Sequence, residues 1–139
     1  MNTAIVDRHE YVLVCTSNRG GEVFLRKLQD VGQPFLALVR EEEDEAYFRA
    51  CGYESIIRVR DINVGSLLPL FEYPIARIVI FEDNFFDCCS LMRIVRSITR
   101  VPIYLVTPNK KRLSTLYYSL GASHVIYSDT GNVSFLILQ

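Results

Sequence analysis

Residues 11–21 read YVLVCTSNRGG and run directly into a segment of helical periodicity, Glu22–Val31. The apolar run Tyr11–Cys15 has the length and the Val and Leu content of a buried strand, and two glycines close the turn that follows it. A strand, a short turn and a helix in immediate succession are the opening unit of a parallel sheet. This stretch therefore decides the fold, and its turn lies where parallel sheets bind ligands, at the carboxyl end of a strand.

The turn corresponds to the glycine pattern G-x-G-x-x-G, whose glycines make the tight turn, let the backbone approach a pyrophosphate and let the helix pack closely on the strand. Here the three positions hold Thr16, Asn18 and Gly21, so only the packing glycine is present. The helix start remains a predicted anion site, because it offers backbone amides beside Arg19. We expect weak or absent binding of a dinucleotide phosphate at the turn residues Thr16, Ser17, Asn18, Arg19, Gly20 and Gly21.

The composition indicates a single domain over residues 1–139, with residues 1–10 as an N-terminal arm. The formal net charge of −1 gives no electrostatic argument for a nucleic-acid partner or a membrane surface. The sequence has no apolar run of the roughly 20 residues that span a membrane, and no signal peptide. We therefore expect a cytoplasmic protein that neither binds nucleic acid nor inserts into a membrane.

The nucleophilic and metal-ligating residue types form no catalytic or metal-binding pattern. Cys15, Cys51, Cys88 and Cys89 lack the spacing of a zinc site and are expected to be buried thiols. The two histidines lie outside any nucleophile motif, and Ser17 has no identifiable base. The sequence therefore predicts neither an enzyme nor a metal protein.

Strand-length apolar runs alternate with helix-period segments, which is typical of βαβ units. The runs are rich in Val, Ile and Leu without strict alternation, as expected for strands that are buried on both faces. With right-handed crossovers they predict an α/β fold: a doubly wound, Rossmann-like parallel sheet of five or six strands with helices on both faces, in the order 3-2-1-4-5 with a sixth strand as an option. The predicted strands are Tyr11–Cys15, Pro34–Val39, Ser55–Val59, Ala76–Phe81, Ile103–Thr107 and His124–Tyr127.

Each helix-period segment carries one apolar stripe that would cover the sheet. The last segment stops at Gly121, which we predict to be a C-terminal cap. Because the stripes supply most of the buried apolar area, aspartate at Leu91 or at Leu116 is predicted to unfold the domain. The stripes consist of Phe24, Leu28 and Val31; Val64, Leu67, Leu68 and Phe71; Leu91, Ile94, Val95 and Ile98; and Leu113, Leu116, Tyr117 and Leu120.

Charged residues follow three of the predicted strands. Arg40 follows the second strand, Asp61 the third, and Glu82 and Asp83 the fourth. Ligands of doubly wound sheets bind at the carboxyl ends of the strands, beside the point where the strand order reverses. These four residues are therefore candidate cofactor-binding residues, and Arg40 either meets the 2′-phosphate of NADP or is a solvated charge at a strand end.

Four segments resemble the N-terminal nucleotide-binding domain of potassium-transport regulators, the RCK or TrkA-N type. They are EYVLVCTSNRGGEVFLRKL, the pair Arg60-Asp61, ARIVIFEDN and LGASHVIYSD. The resemblance covers nearly the whole chain and implies a regulatory domain that binds NAD(P) or an adenine nucleotide. In this family an acidic residue ends the second strand and binds the ribose hydroxyls, whereas this sequence has Arg40 at that place. The resemblance therefore implies a degenerate member that acts through protein–protein contacts, with no bound cofactor or a weakly bound one.

The C-terminal half also resembles the receiver domain of response regulators, with Glu82 at the phosphoacceptor position and Thr107 at the switch position. A receiver holds Mg²⁺ with an acidic pair after its first strand and the phosphoryl group with a lysine after its fifth. Here Cys15-Thr16 stands at the first place, and no lysine lies near Ser128. The alternative function is therefore a pseudo-receiver signalling module that lacks phosphoacceptor chemistry.

Two runs of charge are expected to be solvated helix surface. The carboxylates of Glu41–Glu45 suit the first turn of a helix, where the helix dipole favours negative charge. Arg93, Arg96 and Arg100 lie opposite an apolar stripe, and residues 110–112 add three further basic side chains. Both runs are therefore read as exposed helix faces.

The expected partner is another protein. Tyrosine is enriched in interfaces, and the chain has eight tyrosines, so we expect a homodimer through the C-terminal strand and helices. A third hypothesis retains true ligand binding, as a nucleotide sensor that uses Arg19, Arg40 and Asp61.

Overall fold

The computed structural model describes residues 9–16, 20–110, 114–130 and 132–138. Most of the predicted N-terminal arm lies outside these ranges, as do the candidate site residues Ser17, Asn18 and Arg19. The same holds for Leu113 of the last predicted stripe and for residues 111–112 of the basic run.

The described residues form one sheet of six parallel strands in the order β3-β2-β1-β4-β5-β6. This confirms the predicted fold class and order, including the sixth strand. The order also separates the two resemblances, because β3 pairs with β2 through Ala37 and Ile56, whereas receivers share the five-stranded order 2-1-3-4-5. The strands are β1 Tyr11–Cys15, β2 Phe35–Val39, β3 Ile56–Arg58, β4 Ile75–Phe81, β5 Ile103–Thr107 and β6 His124–Tyr127.

Helices cover both faces of the sheet. On one face α1 and α2 pack with the C-terminal 3₁₀ helix over Val12, Val14 and Val39. On the other face α3, α4 and α5 pack over Leu13 and Ile78. The helices are α1 Glu22–Val31, α2 Glu42–Ala50, α3 Val64–Leu67, α4 Phe85–Ile98 and α5 Ser114–Leu120, and the two 3₁₀ helices are Leu68–Glu72 and Ser134–Leu138.

The predicted stripe on residues 64–71 is confirmed at Leu67 and Phe71, which pack in or against the core, but is wrong at Val64 and Leu68. Val64 and Leu68 are 45% and 52% exposed, and the buried pair is Leu67 and Leu70. Pro69 explains the difference, because it lacks the N–H that would continue an α-helix. The chain continues as a 3₁₀ helix, whose three residues per turn align Leu70 with Leu67.

The stripe predicted on α5 is confirmed at Tyr117 and wrong at Leu116. Leu116 is 43% exposed, whereas Tyr117 is fully buried. The ring of Tyr117 packs edge-on against Phe85, with 6.1 Å between centroids, and its hydroxyl donates to Glu82 Oε1 over 2.8 Å. A buried tyrosine with a partner for its hydroxyl buries more apolar area than the leucine beside it. The predicted cap is confirmed: Gly121 follows α5 with φ +123°, and its N–H donates to the Tyr118 carbonyl.

The basic face of α4 is only partly a solvated surface. Arg93 and Arg100 are exposed, but the guanidinium of Arg96 turns back toward the chain. It donates to the carbonyls of Thr99, Val101 and Gly121 over 2.9, 3.1 and 2.7 Å. Arg96 therefore holds the loops before β5 and after α5, a structural role that helical periodicity does not reveal.

Candidate functional site

A crevice opens at the carboxyl edge of the sheet between β1 and β4, where the strand order reverses. Its volume is about 110 Å³. Its walls are the ends of β1, β2 and β4 and the first turns of α2 and α4. The described lining residues are Cys15, Thr16, Leu38, Arg40, Glu41, Asp44, Ile62, Ile80, Phe81, Asp83, Asn84, Asp87, Cys88 and Leu91.

The turn after β1 is closed by a side chain. Thr16, which stands at the first glycine position, is buried, and its Oγ1 accepts a hydrogen bond from the Gly21 N–H over 3.0 Å. A Cβ on Gly21 would lie 3.1 Å from the Phe81 ring and 3.1 Å from both Cβ and Oγ1 of Thr16. Gly21 thus allows α1 to start against the sheet, and its amide is already bonded within the protein.

A carboxylate occupies the first turn of α1. Glu22 accepts hydrogen bonds from the Tyr47 hydroxyl at 2.9 and 3.0 Å and forms an ion pair with Arg26 at 3.2 Å. The hydrogen bond to Glu22 is the main reason why the pKa of Tyr47 is raised. Negative charge is stabilised by the dipole at a helix N-terminus, so Glu22 supplies the charge that a bound anion would otherwise bring.

Arg40 is held on both sides of the crevice and is not a solvated charge. Its Nε and Nη2 donate to the carbonyls of Val59 and Arg60 over 3.1 and 2.9 Å. Its Nη1 lies 3.0 Å from Oδ2 of Asp87, and the Arg40 side chain is 27% exposed. The guanidinium therefore links the ends of β2 and β3 to the first turn of α4.

The other candidate residues are not brought together. Asp83 lines the crevice, but Asp61 is exposed outside it, and its carbonyl accepts a hydrogen bond from the Ser66 hydroxyl over 2.6 Å. Glu82 points toward α5, where it accepts a hydrogen bond from the Tyr117 hydroxyl. Of the four charged candidates after the strands, only Arg40 and Asp83 line the crevice.

Two thiols form part of the crevice floor. Burial raises the pKa of Cys15 to about 12. Burial also raises the pKa of Cys88, and the nearby charge of Glu82 acts in the same direction. Both thiols are neutral at physiological pH, and a neutral thiol is a poor nucleophile and a poor metal ligand. Within the described ranges, no group of three or more His, Cys, Asp or Glu side chains could hold a metal ion.

Asp87 was not predicted to line the crevice, and Asn84 was not predicted to cap α4. Asn84 Oδ1 accepts the N–H of Asp87 over 3.0 Å and caps α4. The spacing of an Asn and an acidic residue three positions later is a signal for a helix start, so the cap could have been found. The contact of Asp87 with Arg40 could not have been found from the sequence, because it depends on how the end of β2 packs against the first turn of α4.

Comparison with known proteins supports the fold. No protein-family model and no curated protein matches the sequence. Among solved structures, the chain matches the NAD(P)-binding domain of an exopolyphosphatase-related protein from Archaeoglobus fulgidus with a TM-score of 0.73 and 18% identity, over 93% of this chain and 96% of that chain. It matches the TrkA-N domain of the inner membrane protein ybaL from Escherichia coli with a TM-score of 0.64 and 12% identity, over 94% and 96%.

The third match is the GsuK channel bound to NAD, with a TM-score of 0.69 and 19% identity over 86% of this chain. This chain spans 22% of that channel's length. The fold is therefore that of RCK and TrkA-N NAD(P)-binding domains.

In the part of the chain that the structure describes, no helix is both long enough and apolar enough to cross a bilayer.

Proposed function

We propose that the chain is a non-catalytic regulatory domain of the RCK or TrkA-N type that binds NAD(P) or adenine nucleotides weakly or not at all and acts through protein contacts. The observation that carries this proposal is the hydrogen bond from the Gly21 N–H to Thr16 Oγ1. In a dinucleotide site the amides at the start of this helix point at the pyrophosphate. Here one amide is bonded internally, and Glu22 adds negative charge to the same turn.

The charge of the crevice supports the same proposal. Arg40 is the one basic residue among the described lining residues, which include four carboxylates, so these described residues carry a formal net charge of −3. Like charges repel most strongly where water is partly excluded. A nucleotide phosphate would therefore enter an unfavourable field, and Arg40 would have to leave Asp87 to meet it.

The first test is a thermal-shift and calorimetric titration with NAD⁺, NADH, NADPH, ATP and AMP. We expect no shift at millimolar nucleotide, because a ligand stabilises only when its concentration approaches its dissociation constant. Combining Thr16→Gly with Asn18→Gly should raise the affinity for nucleotide by about tenfold or more. The double change frees the Gly21 N–H, and a hydrogen bond from this amide to a charged phosphate contributes about 1.5 kcal/mol. Thr16→Ser keeps the hydroxyl and is the control that should change nothing. Micromolar binding by the unmodified protein would establish the nucleotide-sensor hypothesis instead.

We further propose that the protein contact includes a homodimer formed by α4, α5 and β6. Several large side chains on these elements are exposed, among them Phe86 at 77% and Tyr118 at 48%. Exposed aromatic side chains are typical anchors of interfaces. The outer strand is partly covered, because the Tyr118 hydroxyl accepts the N–H of Val125 over 3.3 Å, which favours side-chain contact over strand pairing.

Light scattering tests the dimer directly. At high protein concentration the mass should be that of two chains, and Phe86→Ser should shift it toward one chain because an exposed anchor is lost. Leu68→Ser removes another exposed apolar side chain, at 52%, outside α4, α5 and β6 and should leave the mass unchanged. A monomer at every concentration would refute the dimer.

A further inference from the structure

We propose that the crevice is a docking site for a polypeptide segment that carries a lysine or arginine next to an apolar side chain. This inference rests on the proposed function, because it requires a crevice that nucleotide does not fill. It adds the chemistry of the partner, which the fold alone does not give.

The size and floor of the crevice suit one apolar side chain. Leu38, Ile80 and Leu91 line it, and Ile62 adds a fourth apolar side chain from the loop between β3 and α3. An apolar cavity of about 150 Å³ takes a benzene molecule. A volume of about 110 Å³ therefore accepts one aliphatic side chain and is far smaller than the roughly 300–1,000 Å³ of pockets that enclose drug-sized ligands.

The rim of the crevice suits a cation. Glu41 and Asp44 line it from α2, and Asp83 and Asp87 line it from the start of α4, so carboxylates face the opening from both sides. Their combined field attracts a basic segment during its approach, and the small formal net charge of −1 for the whole chain does not cancel it at short range. An apolar anchor surrounded by a polar, solvent-accessible rim is the usual composition of a protein interface.

Arg40 shows that the rim already accommodates a guanidinium. Its Nη1 is buried and lies 3.0 Å from Asp87 Oδ2, yet it makes no hydrogen bond of acceptable geometry to the described residues. The carboxylate of Asp87 is 56% exposed, and ion pairs of such exposure contribute little free energy. An incoming lysine or arginine can therefore bind the exposed side of the Asp87 carboxylate, while Arg40 keeps its ion pair with Asp87 and its bonds to Val59 and Arg60.

The experiment is fluorescence anisotropy with three labelled eight-residue peptides: one with the central sequence Leu-Arg-Lys-Leu, one in which both leucines are serine, and one in which both basic residues are glutamate. We expect binding of the first peptide only, with affinity that falls as salt is raised because the rim contacts are exposed. Combining Asp83→Asn with Asp87→Asn should weaken binding by about tenfold or more, since two charge contacts are lost. Glu72→Gln removes an exposed carboxylate that does not line the crevice and should not change the affinity.

The outcomes distinguish failure of the docking site from failure of the proposed function. The docking site would be overturned if the first peptide bound the Glu72 and Asp83/Asp87 variants equally well. It would also be overturned if the acidic peptide bound as well as the first peptide. A mass by light scattering that falls for Glu41→Gln, in the absence of peptide, would show that a second copy occupies the crevice, because Glu41 lies outside the proposed dimer surface of α4, α5 and β6. If neither the peptides nor NAD⁺ bound in the same samples, the docking site would be refuted and the proposed function would stand. NAD⁺ binding that displaces the peptide or replaces it would refute the proposed function as well. Because Asp87 lies in the first turn of α4, the melting temperature of each variant is measured first, and Glu41→Gln offers a second rim variant outside that helix.

Discussion

Leu91→Asp should abolish the cooperative thermal transition of this domain, whereas Leu116→Asp should leave it in place. Leu91 is 7% exposed and packs from α4 into the core below the sheet, but Leu116 on α5 is 43% exposed. A buried carboxylate without a partner adds a desolvation cost to the lost packing, and together they reach about 4 kcal/mol or more. That is comparable to the total stability of about 5–15 kcal/mol of a domain of this kind.

Circular dichroism during heating measures this difference. For Leu116→Asp we expect a loss of less than about 1 kcal/mol, since the aspartate remains in contact with water. Equal destabilisation by both substitutions would mean that α5 presents residue 116 to the core, contrary to the burial of Tyr117. The far-UV signal at low temperature distinguishes an unfolded Leu91 variant from one that only melts earlier.

Arg96→Ala should be the most damaging substitution among the exposed or half-buried basic residues of α4. The guanidinium donates to three carbonyls in two loops, and its removal leaves these partly buried acceptors without their donor. A loss of about 2–4 kcal/mol follows from the usual cost of such groups, and it would lower the melting temperature by about 10 °C. Burial and the neighbouring Arg100 lower the pKa of Arg96, but the group stays charged at neutral pH and keeps its donors.

Two variants give this prediction its control. Arg93→Ala removes an exposed guanidinium from the same helix and should change stability by less than about 0.5 kcal/mol. Arg96→Lys keeps the charge but cannot reach three carbonyls in different directions, so it should recover only part of the loss. If Arg96→Ala behaved like Arg93→Ala, the solvated-face interpretation of the basic run would be right after all.

The architecture was predictable because buried parallel strands and amphipathic helices have clear periodicities. β1 and β5 have the predicted bounds, and β6 does as well. Errors arose where one residue changes the local geometry or where the largest side chain shifts the buried face of a short helix. Pro69 turned an expected helix into a 3₁₀ segment. Of the neighbouring residues Leu116 and Tyr117, both predicted on the stripe, only Tyr117 is in the core.

The candidate site was predictable in position but not in its contacts. The strand ends placed Arg40 and Asp83 at the crevice, because parallel strands end at one edge. That Arg40 would bond to two carbonyls and to Asp87 depends on tertiary packing between distant segments, which no local pattern reports. The erosion of the glycine pattern was visible in the sequence, whereas the bond from Gly21 to Thr16 needed coordinates.

The central place of β1 in the sheet also affects how the chain folds during synthesis. β1 is made first, and one of its edges pairs with β2, but its other edge waits for β4, with Tyr11 opposite Ile75. At a ribosomal rate of roughly 5–20 residues per second, the edge of β1 that pairs with β4 stays unpaired for several seconds. During that time an apolar strand edge is available for wrong pairing, a hazard that ends once β1 is paired on both sides in the finished sheet.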